Sequence, residues 1–319
     1  MKNNKSSKLS SKLILLFLGL FLGFTSCRDN NEETPMQPNP NTITDIVSSN
    51  NNFSLLKSAV VKANLATTLS GTGPFTVFAP NDDAFIASGI TNNVIQGLSA
   101  DQLKNILLYH TLGAKVLAAD VPAGPNASVA TASGENIYVT KNSKGVFVNG
   151  WKVTQADIAA SNGVIHSLER VLLPPSGNIV EVAQGNSNLT YLVAAVLRAS
   201  EGSTNVAQIL SSAGPFTVFA PTNQAFIDAG FPTIASIQAA DPNTLAAILT
   251  YHAVAARAFS SDLSDGQLLN TANGGSIKIG LGANATVKGN GNASPANITA
   301  FNIMAKNGVV HVIDKVLLP

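Results

Sequence analysis

The feature that most constrains this chain is an internal repeat. GPFTVFAP runs from Gly73 to Pro80 and returns unchanged from Gly214 to Pro221, an offset of 141 residues. Tyr109-His110 returns as Tyr251-His252 at an offset of 142, and the block from Asn162 to Pro174 returns from Asn307 to Pro319 at 145. All four histidines fall inside these blocks, as two matched pairs. A period this long exceeds a solenoid unit and suits a complete domain with its own core, used twice.

The first 26 residues read as a targeting segment. Lys2, Lys5, Lys8 and Lys12 precede an apolar run from Leu13 to Phe24 that is too short to cross a bilayer as a helix. Thr25-Ser26 then lead into Cys27, the only cysteine. The arrangement resembles a bacterial lipoprotein signal, with Phe24 standing where an aliphatic residue is usual. That resemblance implies acylation of Cys27, membrane attachment through the N-terminal lipid, and an outer-membrane lipoprotein facing the periplasm or the cell surface. Two or more acyl chains anchor a protein stably. Asp29, Glu32 and Glu33 follow closely and resemble the acidic export tag of surface lipoproteins, interrupted by Arg28. Residues 27–42, rich in Asn, Glu and Pro, read as an extended tether.

Without the signal the chain keeps 15 basic against 18 acidic residues. It has no basic block, so nucleic acid has no electrostatic footprint to bind. No cysteine remains for a disulfide, so each module must be held by its core, which a length near 140 residues permits. The modules are expected at 43–175 and 177–319, joined by the short, proline-stiffened Pro174-Pro175-Ser176-Gly177-Asn178, which argues for a fixed angle between them.

Each module opens with a helical stripe. Leu189, Leu192, Val193, Val196 and Leu197 stand at i, i+3, i+4, i+7 and i+8, matched by Phe53, Leu56, Val60 and Ala63. Phe-Thr-Val-Phe-Ala, bounded by Gly-Pro and Pro, reads as a short strand, with Asn81 or Thr222 capping the helix that follows. Ser99 with Gln102, and Asp241 with Pro242, mark the start of a later helix in each copy. Asn149-Gly150 between Val146–Val148 and Lys152–Thr154 predicts a tight hairpin. The block ending in Leu-Leu-Pro is almost wholly apolar and reads as a strand buried on both faces. Helices first and paired strands later give an α+β class.

The histidines invite a catalytic reading, and their spacing argues against it. Leu103, Ile106, Leu107 and His110 share one helix face, as do Leu245, Ile248, Leu249 and His252, so these imidazoles point into the core. Val164, His166 and Leu168, and Val309, His311 and Ile313, share strand faces with the same consequence. A buried imidazole needs hydrogen-bond partners, which backbone groups can supply. No set of ligands suggests a metal, no cofactor motif occurs, and no serine or acid beside a histidine recurs in both copies, so no catalytic residue is expected. Trp151 has no counterpart in the second copy; as an indole beside a turn it is a candidate for stacking on a sugar or a partner protein, or for covering apolar surface.

The blocks Thr76 to Phe85 and Thr217 to Phe226, Asn162 to Pro174 and Asn307 to Pro319, with Tyr-His between them, resemble the fasciclin-like domain family, in two copies. The resemblance implies two fasciclin-like domains, each a twisted β-wedge with helices packed on one side. It also implies secretion and a role in adhesion or matrix binding, without catalysis. It further suggests Tyr109 and Tyr251, and the pair Asp157-Ile158 (Asn302-Ile303 in the second copy), as contact residues. The expected partner is an extracellular protein or polysaccharide. The alternative reading is a carbohydrate-binding accessory lipoprotein that uses Trp151.

Overall fold

The computed structural model describes residues 41–319; the signal, Cys27 and the tether as far as Pro40 lie outside the described residues. The first module comprises α1 (Ile43–Ser49), α2 (Ser54–Lys62), α3 (Ala66–Ser70), β1 (Phe75–Pro80), α4 (Asp82–Ala87), α5 (Asn92–Gly97) and α6 (Ala100–Tyr109). It continues through β2 (Thr111–Leu112), β3 (Gly124–Ala130), β4 (Asn136–Asn142), β5 (Gly145–Val148), β6 (Trp151–Ala160) and β7 (Gly163–Leu168). The second repeats the plan: α7 (Ile179–Gln184), α8 (Thr190–Ala199), α9 (Val206–Ser211), β8 (Phe216–Pro221), α10 (Asn223–Asp228), α11 (Ile234–Gln238) and α12 (Pro242–Tyr251). Its strands then follow as β9 (Ala253–Val254), β10 (Leu268–Asn270), β11 (Ser276–Leu281), β12 (Ala285–Lys288), β13 (Ala296–Ala305) and β14 (Gly308–Ile313).

Each module is a seven-stranded curled sheet with helices against one face, an α+β fold. The strand orders β2-β1-β7-β6-β5-β4-β3 and β9-β8-β14-β13-β12-β11-β10 are the same topology. The first repeated block and the last lie side by side. β1 pairs parallel with β7, Phe75 opposite Gly163 and Phe78 opposite His166, and β8 pairs with β14 in the same register. All other pairings are antiparallel.

Period-2 alternation makes this strand pair the wall between two cores. Val77, Ala79 and Ile165 face the helices and meet Leu56, Val60, Leu103 and Leu107. Phe78 and Leu168 face the other way, toward Tyr109, Leu112, Ile137 and Val148. The second module repeats both sides, with Val218, Ala220 and Val310 against Leu192, Val196, Leu245 and Leu249, and Phe219 and Ile313 against Tyr251, Ile277 and Val287. Burial on both faces is why these strands are nearly continuous apolar runs.

The helix starts follow their caps: Asn81 and Thr222 accept from Ala84 and Ala225, Ser99 and Gln102 close a capping box, and Asp241 caps above Pro242. The hairpin at Asn149-Gly150 turns with φ of 49° and 79°, the left-handed pair that a two-residue turn requires. Just ahead of Ile43, Thr42 forms a capping box with Asp45 and the Asn41 carbonyl accepts from Ser161 N–H at 2.9 Å. Two expectations change. Leu197 stands 56% exposed beside a buried Val196, because at 100° per residue it lies about 140° around the helix from Leu192. The last strand stops at Leu168 or Ile313; beyond it Val171 and Leu172 stay buried without strand pairing while Leu173 turns out to 54% exposure.

The parallel pairing demands glycine. A Cβ on Gly163 would overlap the Phe75 carbonyl oxygen, one on Gly73 the Asn162 carbonyl, and Gly308 and Gly214 stand in the same relation to Phe216 and Asn307. Gly163→Ala or Gly308→Ala should therefore lower stability by about 2 kcal/mol or more, the range of overpacked cores. Gly97→Ala, at a helical site with open space around it, should be neutral or stabilising by up to about 1 kcal/mol. Chemical denaturation of the three variants checks this; equal midpoints would refute the close-approach argument.

Candidate functional site

The polar residues shared by the two copies are spent inside the modules. His110 follows the last residue of α6; its ring Nδ1 bonds the Ile106 carbonyl at 2.8 Å and its Nε2 accepts from Leu172 N–H at 2.9 Å. His252 does the same with Ile248 and Leu317, at 2.8 Å each. His166 bonds the Val116 carbonyl through Nε2 at 2.9 Å and accepts from Asp157 N–H at Nδ1, 3.2 Å away, while its ring stacks on Phe78 with centroids 5.5 Å apart. His311 repeats this with Ala258, Asn302 and Phe219. Each imidazole is thus a buried strut with both nitrogens engaged by backbone, and each must be neutral to donate at one and accept at the other.

Desolvation, opposed by the hydrogen bond to a carbonyl, lowers the pKa of His110, His252 and His311 to about 4. The asparagines of the last block work in the same way. Asn162 accepts from Ile43 N–H at the start of α1 and donates to the Leu69 and Gly71 carbonyls at the end of α3. Asn307 ties Ile179, Leu210 and Ser212 together. Thr76 and Thr217 each donate to one carbonyl of the loop that follows the long helix (Ala114, Ala256) and accept one of its N–H groups (Val116, Ala258).

Tyr109 and Tyr251, expected as contact residues, have no exposed surface and enter the core on the far side of the sheet. Their hydroxyls donate to the Asn136 carbonyl at 3.0 Å and the Ser276 carbonyl at 2.6 Å. The helix ends at the wall between the two cores, so adjacent residues serve opposite sides: His110 one, Tyr109 the other. Burial also pushes the Tyr109 phenol well above its ordinary pKa.

Asp157 occupies a bulge in β6 with φ of 59°, and its exposed carboxylate accepts from Ala118 N–H at 2.9 Å. Asn302 sits at the equivalent bulge of β13 with the same φ, and its side-chain oxygen accepts from Ser260 N–H at 2.8 Å. A neutral amide serves as well as a carboxylate there, so this position braces a loop. Ile158, half-buried, packs against the helical core.

Comparison with protein families matches the fasciclin domain model at residues 51–174 and again at 188–319. The chain belongs to the fasciclin-domain family. Among relatives, Protein sll1483 of Synechocystis is 43% identical over 42% of this chain and 74% of its own length. The ig-h3 protein of Sus scrofa, described as transforming growth factor-beta-induced, is 27% identical over 79% of this chain, and human periostin is 28% identical over 79%. The aligned region spans 35% and 29% of those two proteins' own lengths. A solved FAS1 domain pair from the insect cell adhesion molecule Fasciclin I covers 86% of this chain and 96% of its own, with a TM-score of 0.41 and 20% identity. Fasciclin domains are found in cell-adhesion and extracellular-matrix proteins.

With the shared polar residues accounted for, the positions that differ between the two fasciclin domains become informative. Several of them form the contact between the domains. The loop Arg257–Asp262 of the second domain lies against β3, β4 and the Asn149-Gly150 turn of the first. The Arg257 guanidinium lies 3.9 Å from the centroid of the Tyr138 ring and donates to the Gly308 carbonyl at 3.1 Å. Desolvation lowers its pKa from the usual guanidinium value. Asn126 donates to the Arg257 carbonyl, Thr140 to Asp262, and Ser260 to the Gly150 carbonyl. Gly150 leaves no room for a Cβ, which would stand 2.6 Å from the Asn302 side chain.

Beside this contact a cleft of about 560 Å³ opens between the domains, lined by Trp151, Arg170 and Leu173 of the first and Phe301, Asn302 and Met304 of the second, among others. Trp151 is half-buried, packs on the inner core of the first domain, and carries the Arg170 guanidinium 5.2 Å from its ring centroid. Sequence reasoning reached Trp151 by its lack of a counterpart; the same signal was present at Arg257, which replaces Lys115, and at Tyr138, which becomes Lys278.

Two outcomes follow. In an unfolded chain histidine titrates near pH 6.5, whereas three buried imidazoles titrate near 4, so on acidification the unfolded state takes up protons first. Stability is therefore complete above about pH 6.5 and lost progressively from there to about 4, by up to roughly 3 kcal/mol per imidazole. The melting temperature should be level near neutrality and fall through that window; a flat profile would argue against neutral buried rings. Separately, Asp157→Asn should preserve stability, as Asn302 does naturally, whereas Asp157→Ala should cost about 1–2 kcal/mol through the lost acceptor and the strained backbone. Urea titration separates the two.

Proposed function

We propose that this chain is a surface-presented adhesion protein: an acylated lipoprotein, held in the outer membrane through Cys27, that offers two fasciclin domains to an extracellular protein or polysaccharide and acts by binding, not by catalysis. The observation that carries the reading is the complete use of the shared polar groups as internal struts. All four imidazoles have both ring nitrogens bonded to backbone, so none is available as a general base or a metal ligand. What remains for recognition is the outer surface, where the two domains differ. Membership of a family found in adhesion and matrix proteins supports the same reading, and the targeting segment supports the address.

Attachment and adhesion are separable by experiment. The wild-type chain should incorporate labelled fatty acid and partition with membranes, and beads coated with it should retain matrix material or cells. Cys27→Ser should abolish labelling and release the protein into the soluble fraction while leaving bead adhesion intact. Labelling that survives the substitution would refute the anchor, and failure of wild-type beads to retain anything would refute the adhesion reading.

A further inference from the structure

We propose that the cleft between the two fasciclin domains binds a carboxylate-bearing sugar of an acidic polysaccharide, with Arg170 meeting the carboxylate and Trp151 and Phe301 the apolar faces of the rings. The proposal rests on the adhesion reading and names the chemistry of its ligand.

The contact pair is not required by the fold. Trp151 has no counterpart in the second domain. Lys315, which replaces Arg170, is occupied within its own domain, donating to Ser294 Oγ at 2.7 Å and the Pro295 carbonyl at 3.3 Å. Arg170 makes one long bond, 3.4 Å to the Glu169 carbonyl, and no ion pair among the described residues. The other two described arginines are engaged. Arg198 bonds Glu201 and the Ala240 carbonyl, and Arg257 bonds Gly308 and lies over Tyr138. Arg170 thus keeps most of its five donors unspent while its guanidinium lies over the Trp151 indole, 5.2 Å from the ring centroid.

The surroundings decide the charge and shape of the occupant. The residues lining the cleft include this one cation and no carboxylate, so an anion is favoured there. A guanidinium stacked on a ring retains in-plane donors that match a carboxylate bidentately. Trp151, Leu173, Phe301 and Met304 supply apolar wall on both sides, which suits the C–H faces of pyranose rings, and the volume of about 560 Å³ falls within the range of ligand clefts. A single cation without a basic stripe does not suit a polyphosphate chain. An extended peptide would add to a regular open strand edge; β6 meets the cleft at Trp151, which is paired with Val148, and the stretch of β13 that lines it is interrupted by a bulge between Ala300 and Ile303 that breaks such an edge.

Isothermal calorimetry of the purified protein with oligogalacturonate, its fully methyl-esterified form and a glutamate-rich peptide tests this, alongside bead adhesion. Oligogalacturonate should bind, and the ester should bind at least about tenfold more weakly, the loss expected for one charge-assisted pair. Arg170→Gln should weaken oligogalacturonate to the same degree with an unchanged melting temperature. Trp151→Ala should abolish binding, and because that ring also packs on the core, Trp151→Phe is the folded control that should retain part of it. Equal affinity for acid and ester, wild-type affinity in Arg170→Gln, or tighter binding of the peptide would overturn the assignment. Adhesion retained without oligogalacturonate binding would remove the cleft proposal and leave the adhesion reading standing; loss of both would remove both.

Discussion

The parallel pairing of β1 with β7, and of β8 with β14, is the constraint on which the rest of each module depends. It joins the first repeated block to the last across almost the whole module, so the loop-closure entropy of everything between them must be met before the pairing stabilises anything. The residues that permit it are small or locally specialised: glycines where the strands approach within carbonyl distance, and an asparagine whose amide gathers three backbone groups from the opening helices. With the two strands joined, both faces of the sheet centre are buried, and two separate cores form on either side.

The histidines are intelligible only within that frame. A strand pair buried on both faces has loops crossing its ends whose backbone groups are out of reach of water. A neutral imidazole can donate at one ring nitrogen and accept at the other, which makes it a rigid two-ended connector. His110 and His252 join the end of a long helix to the segment after the last strand; His166 and His311 join a loop to a β-bulge. The cost is acid sensitivity, since protonation of His110, His252 or His311 removes the acceptor end of that strut. Repetition of these residues in both copies therefore reflects folding, and says little about recognition.

Much of the architecture was legible in the chain. The repeat announced two modules, the 3.6 and 2.0 periodicities placed the histidines inward, and Asn149-Gly150 announced its turn. The short helices α1, α3, α5 and their copies were not read, although Thr42 with Asp45 and Asn178 with Glu181 carry cap signals; five- to seven-residue helices have too few turns to show a stripe. Tyr109 and Tyr251, which the family resemblance suggested as contact residues, are buried because a helix that ends between two cores presents an inward residue to each. The cleft could not be read at all, for it is composed of residues far apart in sequence and exists only through domain contact.

That contact also shows what distinguishes one copy from the other. The loop that docks in the second domain, Arg257 to Asp262, has its equivalent in the first at Lys115 to Asp120, where lysine replaces arginine and Leu117 replaces Phe259. The hairpin that receives it in the first domain offers Tyr138 and Thr140; its equivalent in the second offers Lys278 and Gly280. With the two modules exchanged, the same contact would set Lys115 against Lys278, without the guanidinium–ring pair, and would lack the Thr140 to Asp262 hydrogen bond, Gly280 standing in place of Thr140. The two copies thus differ at this seam as a matched donor and acceptor. Divergence at that seam, together with the unshared Trp151 and Arg170 beside it, places the individuality of this chain between its domains, where two similar folds make a surface that neither has alone.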